Sequence, residues 1–438
     1  MDFFSPIKKI HFIGIGGIAM SAMAKYMRHK GILVTGSDVT QSRITDDLEE
    51  KYDIHVYIGV QPENITLEHD MVVYSPAVPN DNLERQEARN IGIPEYSYPE
   101  LLGEVMKGKT TITVSGTNGK TTTTTMVVEL LKHLGLDPTA IVGEYLQKYN
   151  SNFVAGQSEY FVTEACEYKE SFLNYDYDIA VITNITEDHL DYFKDLNHIQ
   201  DTFKKFLSNK KGVGVLICNP HLEALSPIVA EAKLLGMTII DYSQYLDEDL
   251  KLPIPGEHNL ENAAAALGVL SALGLSIDEG REYLGKYFQG AKRRIEHVGI
   301  TEHGALLLDD YAHNPEGLER LIQGLREFYP EKKVVMLFEP HLYSRTRDFK
   351  EAFGRALEQV DVLYLFPVYR AREERIPEED YLLENYIDPT KVELIVVHDP
   401  KTFKELFESK EYDKNYIVIT AGAGNIWQQG LTIKKNHL

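Results

Sequence analysis

At 438 residues the chain is too long for one typical domain, and a usual domain size suggests about three. Its apolar content of 43% suits ordinary cores, and its net charge of −22 argues against a nucleic-acid partner, whose phosphate backbone needs a basic face. No apolar run reaches membrane-spanning length, the N-terminus lacks a signal-peptide layout, and Cys166 and Cys218 lie far apart, so a cytoplasmic protein with no membrane partner and no disulfide framework is expected.

Lys9 to Ile15 reads as a buried first strand, Gly14 to Gly17 as a turn, and Ile18 to Lys30 as a helix. Ile32 to Thr35 is the next strand, closed by a Gly36-Ser37-Asp38 turn. This is a dinucleotide-type opening with an acidic residue about twenty positions past the glycines. The third glycine of that fingerprint is absent, and Met20 or Ser21 stands near its place. Two readings stay open. One is a tight turn with no ligand. The other is a helix N-terminus holding the phosphates of a nucleotide, with Asp38 near its sugar or base. Met71 to Tyr74 forms a further strand, and Ser75 begins the loop at its carboxyl end, where open α/β sheets bind ligands. The Lys107-Gly108-Lys109 break closes a first domain at residues 1–108.

The stretch from Thr110 to Met126 organises the second domain. A β-branched strand turns through Gly116-Thr117-Asn118-Gly119 and enters a helix at Lys120-Thr121-Thr122. Glycines admit an anion close to the backbone, and the helix N-terminus points its amides at it. Lys120 would reach the outer phosphates and Thr121 would bind Mg²⁺. The generic phosphate loop has four residues between its first glycine and the Gly-Lys pair, whereas Gly116 and Gly119 have only two between them. Tyr160 to Thr163 and Ile179 to Thr183 are strands that end in polar clusters carrying Glu164 and His189. Mg²⁺ prefers oxygen ligands, which favours Thr121 and Glu164, while His189 reads equally as a capping or core histidine. After strands at Val213 to Cys218 and Thr238 to Tyr242, Pro253 to Asn259 reads as a loop and Leu260 starts an Ala-rich helix. Asn259 and Asn262, one helical turn apart, could meet an adenine or a phosphate; the alternative is that Asn259 caps that helix.

Gly290 to Arg294 marks a basic joint, after which a third α/β rhythm begins. Its strands are Ala305 to Leu308, Val334 to Phe338, Val362 to Phe366, Glu393 to Val397 and Ile417 to Thr420, with a helix at Gly317 to Phe328. Asp310 and His313 follow the first of these strands, and Arg345 and Arg347 follow the second. The arginines suit a carboxylate or phosphate clamp, or a solvated basic turn. Glu373 to Glu379 reads as a charge-rich surface loop.

Taken together, five ordered motifs resemble the Mur ligase family, the ATP-dependent ligases that build the peptide of the bacterial cell wall. They are Gly116 to Thr122 (GTNGKTT), Asn184 to Asp191 (NITEDHLD), Gly256 to Ala263 (GEHNLENA), Lys292 to Arg294 (KRR) and Asp309 to Pro315 (DDYAHNP). The shortened phosphate loop is that family's own form. Within the family, His11 to Ser21, Glu164 to Leu173 and Pro340 to Asp348 most resemble the members that join L-alanine to UDP-N-acetylmuramate. Those members often carry a histidine where Asn314 stands and an arginine where Leu342 stands, both in the region assigned to the amino acid.

The resemblance implies an α/β protein of three domains. A Rossmann-like N-terminal domain (1–108) would take the UDP sugar through Gly14, Gly16, Gly17, Ser21, Asp38 and Ser75. A central P-loop ATPase with a mainly parallel sheet (109–292) would take ATP at Gly116, Thr117, Asn118, Gly119, Lys120, Thr121 and Thr122. A C-terminal Rossmann-like domain (293–438) would receive the amino acid at His313 and Arg345. Asn259, Asn262, Arg294 and Asp310 would complete the ATP site, and Thr121, Glu164 and His189 would hold Mg²⁺. Lys120, Glu164 and His189 are the implied catalytic residues. The implied chemistry turns the sugar's carboxylate into an acyl phosphate, which an amine then attacks. Three lobes sharing one reaction imply closure, with Gly290 to Arg293 as the hinge. Assembly stays open between monomer and homodimer. Attachment of a preformed murein tripeptide to the same sugar is the alternative. A nicotinamide oxidoreductase would rest on Gly14 to Gly17 alone and leaves Lys120, Glu164 and Asp310 without a role.

Overall fold

A computed structural model describes residues 3–189, 192–247, 249–371, 373, 374, 377 and 381–435. Leu190 and Asp191, the end of the NITEDHLD motif, and part of the Glu373 to Glu379 stretch lie outside the described residues. The protein has three sheets distributed over two compact units, one of residues 1–251 with 261–289 and one of residues 252–260 with 290–438.

The first unit contains two sheets. The N-terminal one is wholly parallel, built from β1 (Lys9–Ile13), β2 (Leu33–Asp38), β3 (His55–Ile58), β4 (Met71–Tyr74) and β5 (Glu95–Ser97) in the order β3-β2-β1-β4-β5. Helices α1 (Ile18–His29), α2 (Arg43–Tyr52), α3 (Leu83–Asn90) and α4 (Tyr98–Met106) connect it. The Gly36-Ser37-Asp38 segment, expected as a turn, belongs to β2. Gly36 pairs with Phe12, and a side chain there would strike Ile15, so the glycine serves close packing inside the strand.

The second sheet runs β12-β11-β10-β6-β9-β7-β8 and is parallel except for the β7–β8 pair. Its strands are β6 (Thr110–Ser115), β7 (Thr139–Leu146), β8 (Ser151–Val154), β9 (Tyr160–Glu164), β10 (Tyr177–Ile182), β11 (Lys210–Cys218) and β12 (Thr238–Asp241). Helices α5 (Lys120–His133), α6 (Leu196–Leu207), α7 (Ser226–Leu234), α8 (Glu257–Ala272) and α9 (Ile277–Tyr287) follow in chain order. The interior strand β6 is buried after its first residue, which is why it reads as an unbroken β-branched run. The antiparallel β7–β8 edge did not show in the sequence. Helix α8 begins at Glu257, three residues before the expected start. One continuous core runs from Ile10 and Phe12 through Tyr26 of α1 to Phe153 and Phe161 of the second sheet. There the Tyr26 ring meets Phe153 edge-on at 5.9 Å.

The third sheet, in the second unit, runs β13-β14-β18-β15-β16-β17. Its strands are β13 (Glu296–Ile300), β14 (Leu306–Asp310), β15 (Lys333–Phe338), β16 (Val362–Leu365), β17 (Glu393–Val396) and β18 (Tyr416–Ala421). Only β13, an edge strand absent from the sequence reading, pairs antiparallel. Helices α10 (Pro315–Phe328), α11 (Tyr343–Asp348), α12 (Lys350–Leu357), α13 (Phe403–Glu408) and α14 (Ile426–Ile433) cover it. Separate apolar clusters lie on its two faces, as a doubly covered sheet requires. Among the described residues no helix is long and apolar enough to cross a membrane.

Candidate active site

In the second sheet, β6 ends at Ser115 and the chain reaches α5 through Gly116 to Gly119. No side chain caps α5, and its first turn holds no acidic residue, so its leading amides are left for an anion. The turn is held from β10. The Asn184 side chain accepts from the Asn118 amide at 2.9 Å and donates to the Asn118 carbonyl at 3.1 Å. The Thr183 hydroxyl donates to that same carbonyl at 2.6 Å. Gly116, at φ 127°, lies so near these groups that a Cβ would sit 2.2 Å from Thr183 Oγ1. Asn118 Nδ2 is buried in the turn without a hydrogen-bond acceptor. An uncapped helix start and an orphaned buried donor fit a phosphate group.

Lys120 folds back over the turn. Its ammonium donates to the Gly116 carbonyl, to the Thr117 carbonyl at 3.2 Å, and to Glu167 at 3.2 and 3.3 Å. Burial works against its charge, but Glu167, with Cys166, Glu164 and Asp188 adding, holds its pKa above the ordinary lysine value. Glu167 was missed in the sequence, although it stands only three residues past Glu164. The Glu164 carboxylate ends β9 and accepts the Gly143 amide at 2.7 Å. Thr121 and Thr122 are buried at the start of α5. His189 has φ 53° and lays its ring on Tyr168 at 4.6 Å, with Nε2 3.9 Å from Asp188. Among the described residues no three His, Cys, Asp or Glu side chains form a ready-made metal cluster. The Thr121 hydroxyl and the Glu164 carboxylate are oxygen donors of the kind Mg²⁺ takes. Asn262 is buried against the turn, with Oδ1 accepting from Thr123 at 3.2 Å.

On the first sheet, Gly14, Gly16, Gly17, Asp38 and Ser75 gather at the carboxyl ends of β1, β2 and β4. Asp38 accepts the Gly16 amide at 2.9 Å. A Cβ on Gly14 would lie 3.3 Å from Ser75 Cβ. Ser21 departs from this group. It is fully buried, donates to the Ile18 carbonyl at 2.9 Å and accepts from Asn152 of β8 at 2.9 Å, so it faces the core rather than the turn.

In the second unit, Asp310 accepts the Ile295 amide at 2.8 Å and the Ala312 amide at 2.7 Å. Burial raises its pKa against the opposing pull of Arg294, whose guanidinium lies 5.0 Å from the Tyr311 ring centre. His313 donates from Nδ1 to the Tyr311 carbonyl at 2.8 Å, and its ring lies edge-on to His341 at 6.0 Å. Arg345 approaches His341 Nδ1 at 3.4 Å. Asn314 caps α10 by accepting the Gly317 amide at 2.7 Å. Asn259 donates to the Pro255 carbonyl at 2.6 Å and sits inside α8, so it is not the N-cap the alternative reading required. Asp309, Glu339 and His341 join the cluster at these strand ends and carried no role in the sequence reading.

Comparison with known proteins covers almost the whole chain. Residues 9–110 match the Mur ligase family catalytic domain, 114–250 the Mur ligase middle domain, and 293–424 the Mur ligase glutamate ligase domain. A UDP-N-acetylmuramate–L-alanine ligase of Agathobacter rectalis is 37% identical over 468 aligned residues, covering 99% of each chain. The crystal structure of a UDP-N-acetylmuramate–alanine ligase from Thermotoga maritima superposes with a TM-score of 0.81 at 26% identity, over 97% of this chain and 98% of that one. A murein peptide ligase from Psychrobacter arcticus shares the fold, with a TM-score of 0.72 at 21% identity over 98% and 99%. With three family domains matched in order along one chain, this protein belongs to the Mur ligase family.

Proposed function

We propose that this chain is an ATP-dependent, ADP-forming ligase that joins L-alanine to UDP-N-acetylmuramate in peptidoglycan precursor synthesis. Full-length similarity to ligases of that name supports the reaction. The observation that carries the chemistry is Lys120 at the uncapped start of α5, electrostatically coupled to Glu164, Glu167 and Asp188.

Oxide is a very poor leaving group, so a carboxylate does not acylate an amine unaided. The sugar's carboxylate attacks the γ-phosphorus of ATP, ADP leaves, and an acyl phosphate forms. The amine of L-alanine then attacks the acyl carbon and phosphate leaves. Lys120 exchanges Glu167 and the turn carbonyls for the phosphate oxygens. The amides of Gly116 to Thr122 and the unpaired Asn118 Nδ2 hold the transferring group in place. Thr121, Glu164 and His189 would hold Mg²⁺, which when bound neutralises phosphate charge. Gly14, Gly16, Gly17, Asp38 and Ser75 receive the UDP sugar. Asn259, Asn262, Arg294 and Asp310 serve ATP, and His313 and Arg345 serve the amino acid. The functional lobes are 1–108, 109–292 and 293–438. Two unpaired cysteines suit the reducing cytoplasm in which we place the enzyme.

Phosphate release with ATP and UDP-N-acetylmuramate, measured against a panel of amino acids and the murein tripeptide, tests this reading. L-alanine should support turnover best. Turnover with tripeptide alone would transfer the chain to the peptide-attaching members, and no turnover with any acceptor would end the ligase reading.

A further inference from the structure

At the carboxyl ends of β14, β15 and β18 most charged groups are already committed. Arg293 meets Asp309 at 3.4 Å and donates to the Gly422 carbonyl. Asp309 also accepts from the Thr420 hydroxyl, and both oxygens of Asp310 take backbone amides. Glu339, the residue after β15, differs. Its Oε2 accepts the Asn425 amide at 2.7 Å, the Ile426 amide also bonds the carboxylate, and no described cation forms an ion pair with it. Two amides leave part of a carboxylate's acceptor capacity open, and a partly buried anion is costly unless something positive or hydrogen-bonding arrives.

Its neighbours suggest what arrives. Gly424 lets the backbone approach so closely that a Cβ would lie 2.1 Å from Glu339 Oε2 and 2.7 Å from Tyr369 Cγ. The Tyr369 ring stacks on His341 at 5.7 Å, and His341 accepts from Arg345. Gly424 thus lies between the carboxylate and the Tyr369 ring, and the Tyr369–His341 stack leads on to the Arg345 guanidinium. A free amino acid is a zwitterion, and it needs an acceptor for its ammonium as well as a donor for its carboxylate. Its ammonium is not a nucleophile until a proton leaves.

We propose that Glu339 binds the ammonium group of the incoming amino acid opposite Arg345 and receives the proton that frees the amine. The N–H bond breaks, its electron pair stays on nitrogen, and the proton ends on the carboxylate. This rests on the ligase reading above. Burial pushes the Glu339 pKa up to about 6, against the Asn425 and Ile426 amides and the charge of Arg293, which leaves it ionised at neutral pH yet more basic than a free carboxylate.

The test uses Glu339→Gln in the full chain. The glutamine carbonyl still accepts the Asn425 amide, so the start of α14 is kept while the charge and the base are lost. The KM for L-alanine should rise about ten-fold or more, since a hydrogen bond to a charged group is worth about 1.5–3 kcal/mol. The KM values for ATP and UDP-N-acetylmuramate should not move. The acidic limb of kcat/KM for L-alanine near pH 6 should vanish. Hydroxylamine, largely uncharged at neutral pH, needs no anchor, and its capture of the acyl phosphate as a hydroxamate should continue in the variant. A variant that uses L-alanine with wild-type KM and pH profile, in an enzyme that is otherwise active, would overturn the role of Glu339. So would loss of the hydroxamate together with the amide, which would make Glu339 a support for α14 only. Wild-type protein that yields neither hydroxamate nor amide would overturn the ligase reading itself.

Discussion

Gly119 and Asn262 stand in direct contact, although 143 positions apart: a Cβ built on Gly119 would lie 2.3 Å from Asn262 Oδ1. Gly119 also has φ 85°, a region that costs a side-chain-bearing residue about 1–2 kcal/mol. The glycine is needed twice over, for its backbone angle and for the asparagine that packs on it. Gly119→Ala should lower the thermal unfolding temperature and weaken nucleotide binding together. An alanine variant with unchanged melting and unchanged nucleotide titration would show that the contact is not required.

Lys120 is tied to Glu167 and two turn carbonyls. Lys120→Ala should leave the fold in place and slow ADP release with both substrates by roughly 100-fold or more, since one well-placed donor is worth about 3 kcal/mol or more of barrier. ADP release near the wild-type rate would remove Lys120 from the mechanism.

Lys25 of α1 is wholly enclosed, with its ammonium on Asp47 at 3.1 Å, Tyr145 at 2.9 Å and Asn152 at 3.0 Å. Burial lowers its pKa, and Asp47 opposes that shift. Asp47→Ala leaves the ammonium buried without its counter-charge, which typically costs about 3–5 kcal/mol. Thermal melting of the first unit should fall accordingly, whereas Asp47→Asn should lose less. Equal melting of Asp47→Ala and wild type would mean that the pair contributes nothing net.

Burial pushes Asp309 from 3.8 up to about 7, against the pull of Arg293 and of the Thr420 hydroxyl. A group raised on folding contributes stability that is present below its unfolded pKa, near 3.8, and is lost as the pH rises through about 7. Asp309→Asn does not titrate. The wild type should therefore lose stability relative to this variant between pH 4 and pH 8, by a few kcal/mol at most. Paired denaturation curves that keep a constant separation over that range would contradict the shift.

The repeated strand–turn–helix units were legible before any coordinates because their causes are local. A run such as Thr111-Ile112-Thr113-Val114 suits a buried strand, glycine permits the turn, and the residues after it favour a helix. The polar clusters at strand ends were legible for the same reason, since parallel sheets gather those ends on one edge. The edge strands β8 and β13 were not, because antiparallel edges carry no comparable pattern.

Pairing of side chains was decided elsewhere. Lys120 takes Glu167 as its ionic partner, while Glu164 holds the Gly143 amide. Ser21 turns to Asn152, 131 residues away, and Thr123 reaches Asn262 across 139. Glu339 meets the Asn425 amide across 86. Which way a side chain points at the end of a strand depends on what the neighbouring strand brings beside it. The order of strands is a property of the folded sheet, and spacing along the chain carries no record of it.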